Sequence, residues 1–298
     1  MIEIVIPYRN RSIGSMDVRR VLPFPKRRAV GPFVFVDDFG PVEILHNISL
    51  DVLPHPHIGL ATVSYLFSGN MTHRDSLGTV QIIKPGEVNW MTAGKGIVHS
   101  ERVSDAPNPS GETLLGMQTW VALPENSEDC PPDFSHHEER DLPVMEAEGV
   151  RAKVILGDIF GAKSPVATFS DPVYVECFLE NKRQIKIPAD VEERSIYILK
   201  GAVFVGNERF EAGKMIVFEE GKEIVVSAEG ATHLMIIGGA RLEKPRFMWW
   251  NFVSTSKDRI EQAKEDWRNQ KFQKIPDDAK EFVPLPDWNE PKPKPQPL

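Results

Sequence analysis

The chain has 298 residues, of which 41% are hydrophobic and 26% charged, and a formal net charge of −8. This length allows one large domain or two of ordinary size. No apolar run approaches the roughly 18 residues that span a bilayer, and the acidic balance gives no support for nucleic-acid binding.

The two cysteines, Cys130 and Cys177, are too few for a disulfide framework, although one bridge between them stays open. The first residues alternate like a strand and lack the apolar core and the cleavage site of a secretory signal. Together these features predict a reducing, cytoplasmic location.

Basic residues concentrate near the start of the chain. They are Arg9, Arg11, Arg19, Arg20 and the run from Lys26 to Arg28. Such a cluster suggests a nucleic-acid surface or a targeting signal. Because Val18, Val21 and Leu22 are interleaved with it, we favour an exposed strand edge, where basic side chains discourage pairing with other chains.

The first half then consists of short apolar runs divided by turns. Examples of the runs are residues 34–36, 61–67 and 79–83, and examples of the turns are 68–70, 84–87 and 93–96. Short strands at regular spacing with such turns are typical of an all-β sandwich or barrel. Helix signals are scarce before the C-terminal region.

Two short stretches carry the main candidate site. They are His55-Pro56-His57 and, roughly forty residues on, His99-Ser100-Glu101. In a strand, residues two apart project to the same face, so each stretch offers a pair of donor atoms. Burying four such groups without a cation would be costly, so we predict a metal site. Three imidazoles and one carboxylate suit Fe(II), Mn(II), Co(II), Ni(II), Cu(II) or Zn(II).

A polar, proline-bearing segment from Leu123 to Pro143, which contains His136 and His137, predicts a linker with exposed histidines. After it, residues 173–239 repeat the order of strands and turns found in the first half, and residues 196–201 resemble residues 63–69. This weak internal similarity suggests a duplicated barrel. The sole histidine of the second copy is His233, so only the first copy can hold the metal.

These patterns predict three parts: a metal-binding barrel in residues 1–130, a barrel without ligands in 131–240, and a helix with a tail in 241–298. Residues 254–258 can cap a helix from about Lys257 to Phe272, with Ile260, Ala263 and Trp267 on one face. The proline-rich residues 291–297 predict an extended, solvated tail, and docking on a partner is the alternative.

Longer motifs surround the candidate ligands. They are residues 30–41, 55–63, 73–78 and 90–101, together with the helix at 260–268. Over most of its length the chain resembles the pirin family of bicupins. The resemblance implies an all-β fold of two cupin barrels, of the double-stranded β-helix or jelly-roll type, followed by a short C-terminal helix.

The family's metal ligands fall on His55, His57, His99 and Glu101. The resemblance implies iron, most simply Fe(II), in the N-terminal barrel and an empty C-terminal barrel. The broader cupin pattern places a glutamate a few residues beyond the first histidine pair. Residues 59–62 contain no carboxylate here, so Glu101 must supply it.

Relatives of this kind include enzymes that cleave flavonols with dioxygen and a nuclear iron protein that modulates transcription factors. The resemblance therefore implies a quercetin 2,3-dioxygenase-like oxidoreductase, acting on a small aromatic enol and dioxygen, with Glu101 as the catalytic base. The alternative is a redox sensor that binds a regulatory protein. A third hypothesis is a non-redox cupin such as a sugar isomerase. The resemblance favours a monomer.

Other residues have weaker signals. His73 lies where a strand runs into a turn, and we expect it to support the ligands rather than to join them. Phe39, Met117 and Trp120 are candidates for lining a pocket, although core packing explains them equally well. His46 lies in a polar, loop-like context and is expected to be exposed.

Overall fold

The computed structural model describes residues 2–14, 16–45, 49–109 and 111–287. The predictions about His46 and about the tail at 291–297 fall outside these residues. Within the described ranges, no helix is both long enough and apolar enough to cross a lipid bilayer.

Strands dominate the first part of the chain. In order they are β1 (Ile2–Pro7), β2 (Arg9–Ile13), β3 (Met16–Leu22), β4 (Phe33–Glu43), β5 (Val52–His57), β6 (Leu60–Ser68), β7 (Met71–Asp75), β8 (Val80–Ile83), β9 (Val88–Thr92), β10 (Ile97–Arg102), β11 (Thr113–Ala122) and β12 (Asp133–His137). Short 3₁₀ turns at Glu125–Ser127 and Glu139–Asp141 flank β12.

The second part is also strand-rich. Its strands are β13 (Val144–Ala147), β14 (Val150–Leu156), β15 (Asp158–Ile159), β16 (Ala162–Lys163), β17 (Pro172–Leu179), β18 (Gln184–Ile187), β19 (Glu193–Val205), β20 (Glu208–Glu211), β21 (Lys214–Phe218), β22 (Ile224–Gly239), β23 (Phe247–Trp249) and β24 (Phe252–Ser254). The helix α1 spans Lys257–Arg268.

The first barrel is formed by two sheets that face each other. The larger has the strand order β12-β9-β6-β11-β4-β3-β2, and the smaller has the order β5-β10-β7-β8. Its strands are rich in β-branched and aromatic residues, which suit a pleated surface that is buried on both faces. The prediction of an all-β barrel in this half is confirmed.

The second barrel is built on the strand order β1-β21-β19-β22-β17-β14-β13. Its interior is aliphatic and includes Val175, Ile196, Ile198 and Ile236. The two barrels exchange strands, because β1 pairs with β21 of the second barrel and β12 pairs with β9 of the first. Strand pairing thus crosses the predicted boundary at residue 130. That boundary remains a proposal about where the hydrophobic cores of the two barrels divide.

The segment that the sequence predicts to be a linker contains an ordered edge strand. In β12, Phe134 and His136 point to one side, and His136 Nδ1 is 2.8 Å from Asn89 Oδ1. Its side chain is only 17% exposed, so the prediction of an exposed His136 is wrong. The polar composition of β12 concealed an alternation that places every second side chain against the barrel.

A seam of buried side chains joins the barrels. It includes Val63 and Met117 of the first barrel and Tyr174 and Met235 of the second. On β11, Met117 faces this seam. Trp120, three residues further on, projects from the opposite face of the strand and contacts His57 inside the first barrel. Strand β11 therefore has one face on the seam and the other inside the first barrel.

The C-terminal helix forms where the sequence predicts it. The Ser256 side chain caps its first turn by accepting a hydrogen bond from the Arg259 backbone, and Ile260 and Ala263 are buried. The helix ends at Arg268, before the predicted end near Phe272, and Gln270 adopts a left-handed backbone with φ 53°. Residues 269–283, which we name the C-terminal strap, continue along the outside of the first barrel.

Candidate metal centre

The three histidines of the candidate site lie on two paired strands. In the antiparallel pair of β5 and β10, His99 is directly opposite His55, and Ile97 is opposite His57. Because alternate residues share a face, His55 and His57 point together into the barrel, and His99 joins them from the neighbouring strand. A register shift follows His99, so that Glu101 pairs with Val52.

The imidazole rings of this triad are close to one another. Ring centroids are 4.3 Å apart for His55 and His99, and 5.0 Å apart for both other pairs. One nitrogen from each ring lies within 4.8 Å of the nitrogens of the other two. This spacing allows a single ion to contact all three rings.

Backbone carbonyls select the tautomer of two of these rings. His55 Nδ1 is 2.8 Å from the Leu53 oxygen, and His57 Nδ1 is 3.1 Å from the Asn251 oxygen. A carbonyl can only accept, so both Nδ1 atoms carry the proton and both Nε2 atoms keep their lone pairs. The Nε2 atoms of His57 and His99 are buried without any hydrogen-bond partner among the described residues.

Burial disfavours the charged form of the three histidines. It lowers the pKa of His55 to about 4 and holds the pKa of His57 and His99 well below the usual range, with further lowering from the neighbouring imidazoles. The rings are therefore neutral, as metal binding requires. A divalent cation would satisfy the orphaned nitrogens and offset their desolvation, so the residues present fit a metal ion.

Glu101 lies beside the histidine triad rather than at its centre. Its Oε1 is 3.4 Å from His99 Nδ1, and its Oε2 is buried without a partner among the described residues. Burial raises the pKa of this carboxyl to about 8, because the charged form is poorly solvated. A cation next to it would reverse that preference and stabilise the carboxylate.

His73 packs next to the triad but has another partner. Its ring centroid is 5.5 Å from that of His99, and its Nε2 lies 3.0 Å from Asp75 Oδ2. Asp75 is itself fixed by the backbone N–H groups of Leu77 and Thr79. On its other side the His73 ring stacks on Phe134, at a centroid distance of 4.5 Å.

The three apolar residues singled out by the sequence lie in different places. Trp120 contacts His57 edge-on, with ring centroids 5.0 Å apart, and stacks on Phe35 at 3.9 Å. Met117 faces the seam, where its sulfur accepts a hydrogen bond from the Tyr174 hydroxyl. Phe39 packs with Leu66 and Met71 in a separate apolar cluster of the first barrel. Of the three, Trp120 touches the histidine triad.

The C-terminal strap braces the back of the two ligand strands. Asp278 accepts hydrogen bonds from Ser100 Oγ at 2.7 Å and from Arg102 Nε at 3.0 Å, and the Val283 backbone N–H donates to the Pro54 oxygen at 2.8 Å. The Phe272 ring lies over Gly96, where an added Cβ would come within 2.8 Å of the ring.

Several contributors to the site could not be found from the sequence. Asn251 is 194 residues from His57, and Asp278 is 178 residues from Ser100. No spacing pattern connects such distant positions. Phe134 had a signal, namely its alternation with His136, but it lay within a segment of polar composition.

Comparison with known proteins gives consistent matches. The family model described as Pirin matches residues 15–121, and the one described as Pirin C-terminal cupin domain matches residues 174–273. A pirin-like protein from Caulobacter vibrioides is 47% identical over 96% of this chain and 100% of its own length. Human pirin is 30% identical over 85% of this chain and 87% of its own. A crystal structure titled quercetin 2,3-dioxygenase from Acinetobacter baumannii shares 34% identity, with a TM-score of 0.87, over 98% of this chain and 96% of that one.

Proposed function

Because the chain belongs to the pirin family, we propose that it is a metal-dependent dioxygenase that cleaves a flavonol-type enol substrate. The observation that carries this proposal is the triad of His55, His57 and His99, whose ring nitrogens converge within 4.8 Å. The Nε2 atoms of His57 and His99 have no hydrogen-bond partner among the described residues. The similarity to the Acinetobacter quercetin 2,3-dioxygenase across nearly the whole chain supports it.

We propose the triad together with Glu101 as the ligand set. Three imidazole nitrogens and one carboxylate oxygen suit Fe(II), which is our choice, and Mn(II), Co(II), Ni(II), Cu(II) and Zn(II) are the alternatives for elemental analysis to decide. A redox-active ion held there would supply a point at which the enol oxygen and dioxygen meet. Free thiols at Cys130 and Cys177 support a reducing, cytoplasmic setting, and we propose a monomer.

Glu101 is the residue best placed to move a proton. The enol hydroxyl of the substrate must lose its proton, and Glu101 Oε2 has no competing partner among the described residues. We assign Glu101 as the general base because its carboxyl is adjacent to His99 and buried, where proton transfer does not compete with bulk water.

The aromatic side chains around the triad exclude water. Trp120 covers His57, Phe35 stacks behind Trp120, and Phe134 covers His73. An apolar wall of this kind protects reactive species from hydrolysis and strengthens the electrostatic effect of nearby charges.

Oxygen uptake tests the proposal directly. Protein loaded anaerobically with iron should consume oxygen when quercetin is added, and Glu101→Ala should abolish the uptake and weaken metal retention. Glu176→Gln changes a buried carboxyl of the second barrel and should leave the uptake intact. Normal uptake by Glu101→Ala would refute the role of that residue, and no uptake by the iron-loaded wild type with any flavonol would refute the function.

The alternative function, a redox sensor that binds a regulatory protein, finds less support. The basic residues near the start of the chain largely form ion pairs and hydrogen bonds within the molecule. Arg19 pairs with Asp38 at 2.9 Å and Arg20 with Asp37 at 2.7 Å. Arginines that are already paired do not form a free basic surface for an acidic partner.

A further inference from the structure

A row of polar side chains crosses the inner face of the large sheet of the first barrel. Its members are cross-strand neighbours in register on six successive strands: Arg20, Asp37, Gln118, Ser64, Asn89 and His136. On β11 and β12 the row lies two residues from an aromatic side chain that contacts a histidine, namely Trp120 against His57 and Phe134 against His73. On β11 it therefore stands about 7 Å from Trp120.

Most of this row is satisfied by bonds within it. Arg20 donates twice to Asp37, at 2.7 Å each, and Asn89 Oδ1 lies 2.8 Å from His136 Nδ1. Ser64 Oγ donates to Gln118 Oε1 at 2.7 Å. That bond fixes the Gln118 amide so that its NH₂ group is turned away from Ser64.

Gln118 differs from its neighbours in being accessible. It lies in the middle of β11, the central strand of the sheet, yet it is only half-buried, whereas Asp37 and Ser64 on either side are 0% and 6% exposed. Among the described residues, no hydrogen bond involves its Nε2. The structure thus presents an oriented donor, without a partner among the described residues, on the inner face of the large sheet.

We propose that Gln118 is a specificity-determining residue: its Nε2 donates a hydrogen bond to an oxygen at the far end of a polyhydroxylated flavonol whose enol end lies at the histidine triad. This inference rests on the proposed function and narrows its substrate class. A flavonol that carries hydroxyl groups on its outer rings gains this bond, and a flavonol without them does not.

Binding in the absence of oxygen tests the inference. Iron-loaded full-length protein is titrated calorimetrically with quercetin and with 3-hydroxyflavone, which keeps the enol and the adjacent carbonyl but has no other hydroxyl group. Gln118→Met preserves length and shape without the donor. It should weaken quercetin binding about 3- to 10-fold, the value of one neutral hydrogen bond, and change 3-hydroxyflavone binding less than about twofold.

Two matched variants separate this role from a structural one. Ser64→Ala removes the bond that orients the amide and should weaken quercetin binding in the same direction but by less. Thr119→Val alters the next residue of β11, which is buried and pairs with Val36 and Val63, and should affect neither ligand. Gln118→Leu serves if Gln118→Met fails to fold or to retain iron.

The outcomes are distinct. Loss of discrimination between the two flavonols in the Gln118 variants supports the inference, and in air it should appear as a raised KM for quercetin with kcat within about twofold. Equal weakening of both ligands, or wild-type protein that does not distinguish them, overturns it. Wild-type protein that consumes no oxygen, with discrimination that is lost in the Gln118 variants, would refute the dioxygenase function while supporting the role of Gln118.

Discussion

In each barrel a tyrosine on a central strand donates its hydroxyl to a carboxylate of the other barrel. Tyr65 of β6 bonds to Glu176 at 2.7 Å, and Tyr197 of β19 bonds to Asp38 at 2.8 Å. The two strands occupy equivalent positions, because each is third in its sheet order and residues 64–69 align with 196–201 when Gly69 is matched with Gly201. The seam-facing sides of the two strands therefore form the same kind of hydrogen bond with the opposite barrel.

The inner faces of these strands differ. Next to Tyr65, the inward residue is Ser64, which bonds to Gln118, whereas the equivalent position next to Tyr197 is Ile196, buried in an aliphatic core. Alternate residues of a strand project to opposite faces, so the inward residue can differ between the two barrels while the tyrosine on the seam face is constrained by packing. The second barrel has an aliphatic interior, and the first has polar groups around a candidate metal site.

The largest expected effect follows from removing a ligand from the first barrel. His57→Ala should lose iron on dialysis, with affinity falling more than about 100-fold, since even groups that only orient ligands are worth up to that much. His233→Ala removes the histidine of the second barrel and should retain one ion per chain. Elemental analysis after anaerobic loading measures both, and an equal loss in the two variants would contradict the assignment of the site to the first barrel.

Next in size is the seam that the barrels share. Tyr65→Phe and Tyr197→Phe each leave a buried carboxylate without one donor, which costs about 1.5–3 kcal/mol of unfolding free energy for a hydrogen bond to a charged group. Denaturant unfolding of metal-free protein measures the loss. Similar costs would confirm that the two bonds are equivalent, and a negligible cost for one of them would break the symmetry inferred here.

A smaller effect is expected at the strap, which braces the first barrel alone. Asp278→Asn removes the charge from the bonds to Arg102 and Ser100 and should lower the unfolding free energy by about 1 kcal/mol. Metal affinity should fall a few-fold because β10 loses support behind His99. Unfolding and metal-competition titrations check the two effects, and Lys280→Gln, an exposed residue of the same strap, is the control.

The smallest effect is a pH dependence in the second barrel. Burial alone would raise the pKa of Glu176, but hydrogen bonds from His233 and Tyr65 outweigh it and hold the pKa below the usual 4.5. The stabilisation by this carboxylate is therefore complete above about pH 4.5 and is lost as the pH falls through the lowered value. In metal-free protein, the difference in unfolding free energy between wild type and Glu176→Gln should narrow on acidification. A constant difference would contradict the shift.

The sequence predicts the parts of the molecule that depend on local spacing. The convergence of His55 with His57 follows from their separation by two residues, and the cap and buried face of α1 follow from helical periodicity. Strand β12 was not predicted, because its polar residues are typical of a linker. The place of Gln118 depends on which strands flank β11 and in what register, and a single sequence does not contain that information.

The strap has a consequence for the order of events during synthesis. The strands that carry the histidines are complete by residue 102, yet Asp278, which backs them, is synthesised 178 residues after Ser100, and Val283 follows it. Nascent chains fold from the N-terminus as they emerge, so the first barrel forms before its outer support arrives. Acquisition of the ion in its final geometry is therefore expected to follow synthesis of the strap rather than completion of β10.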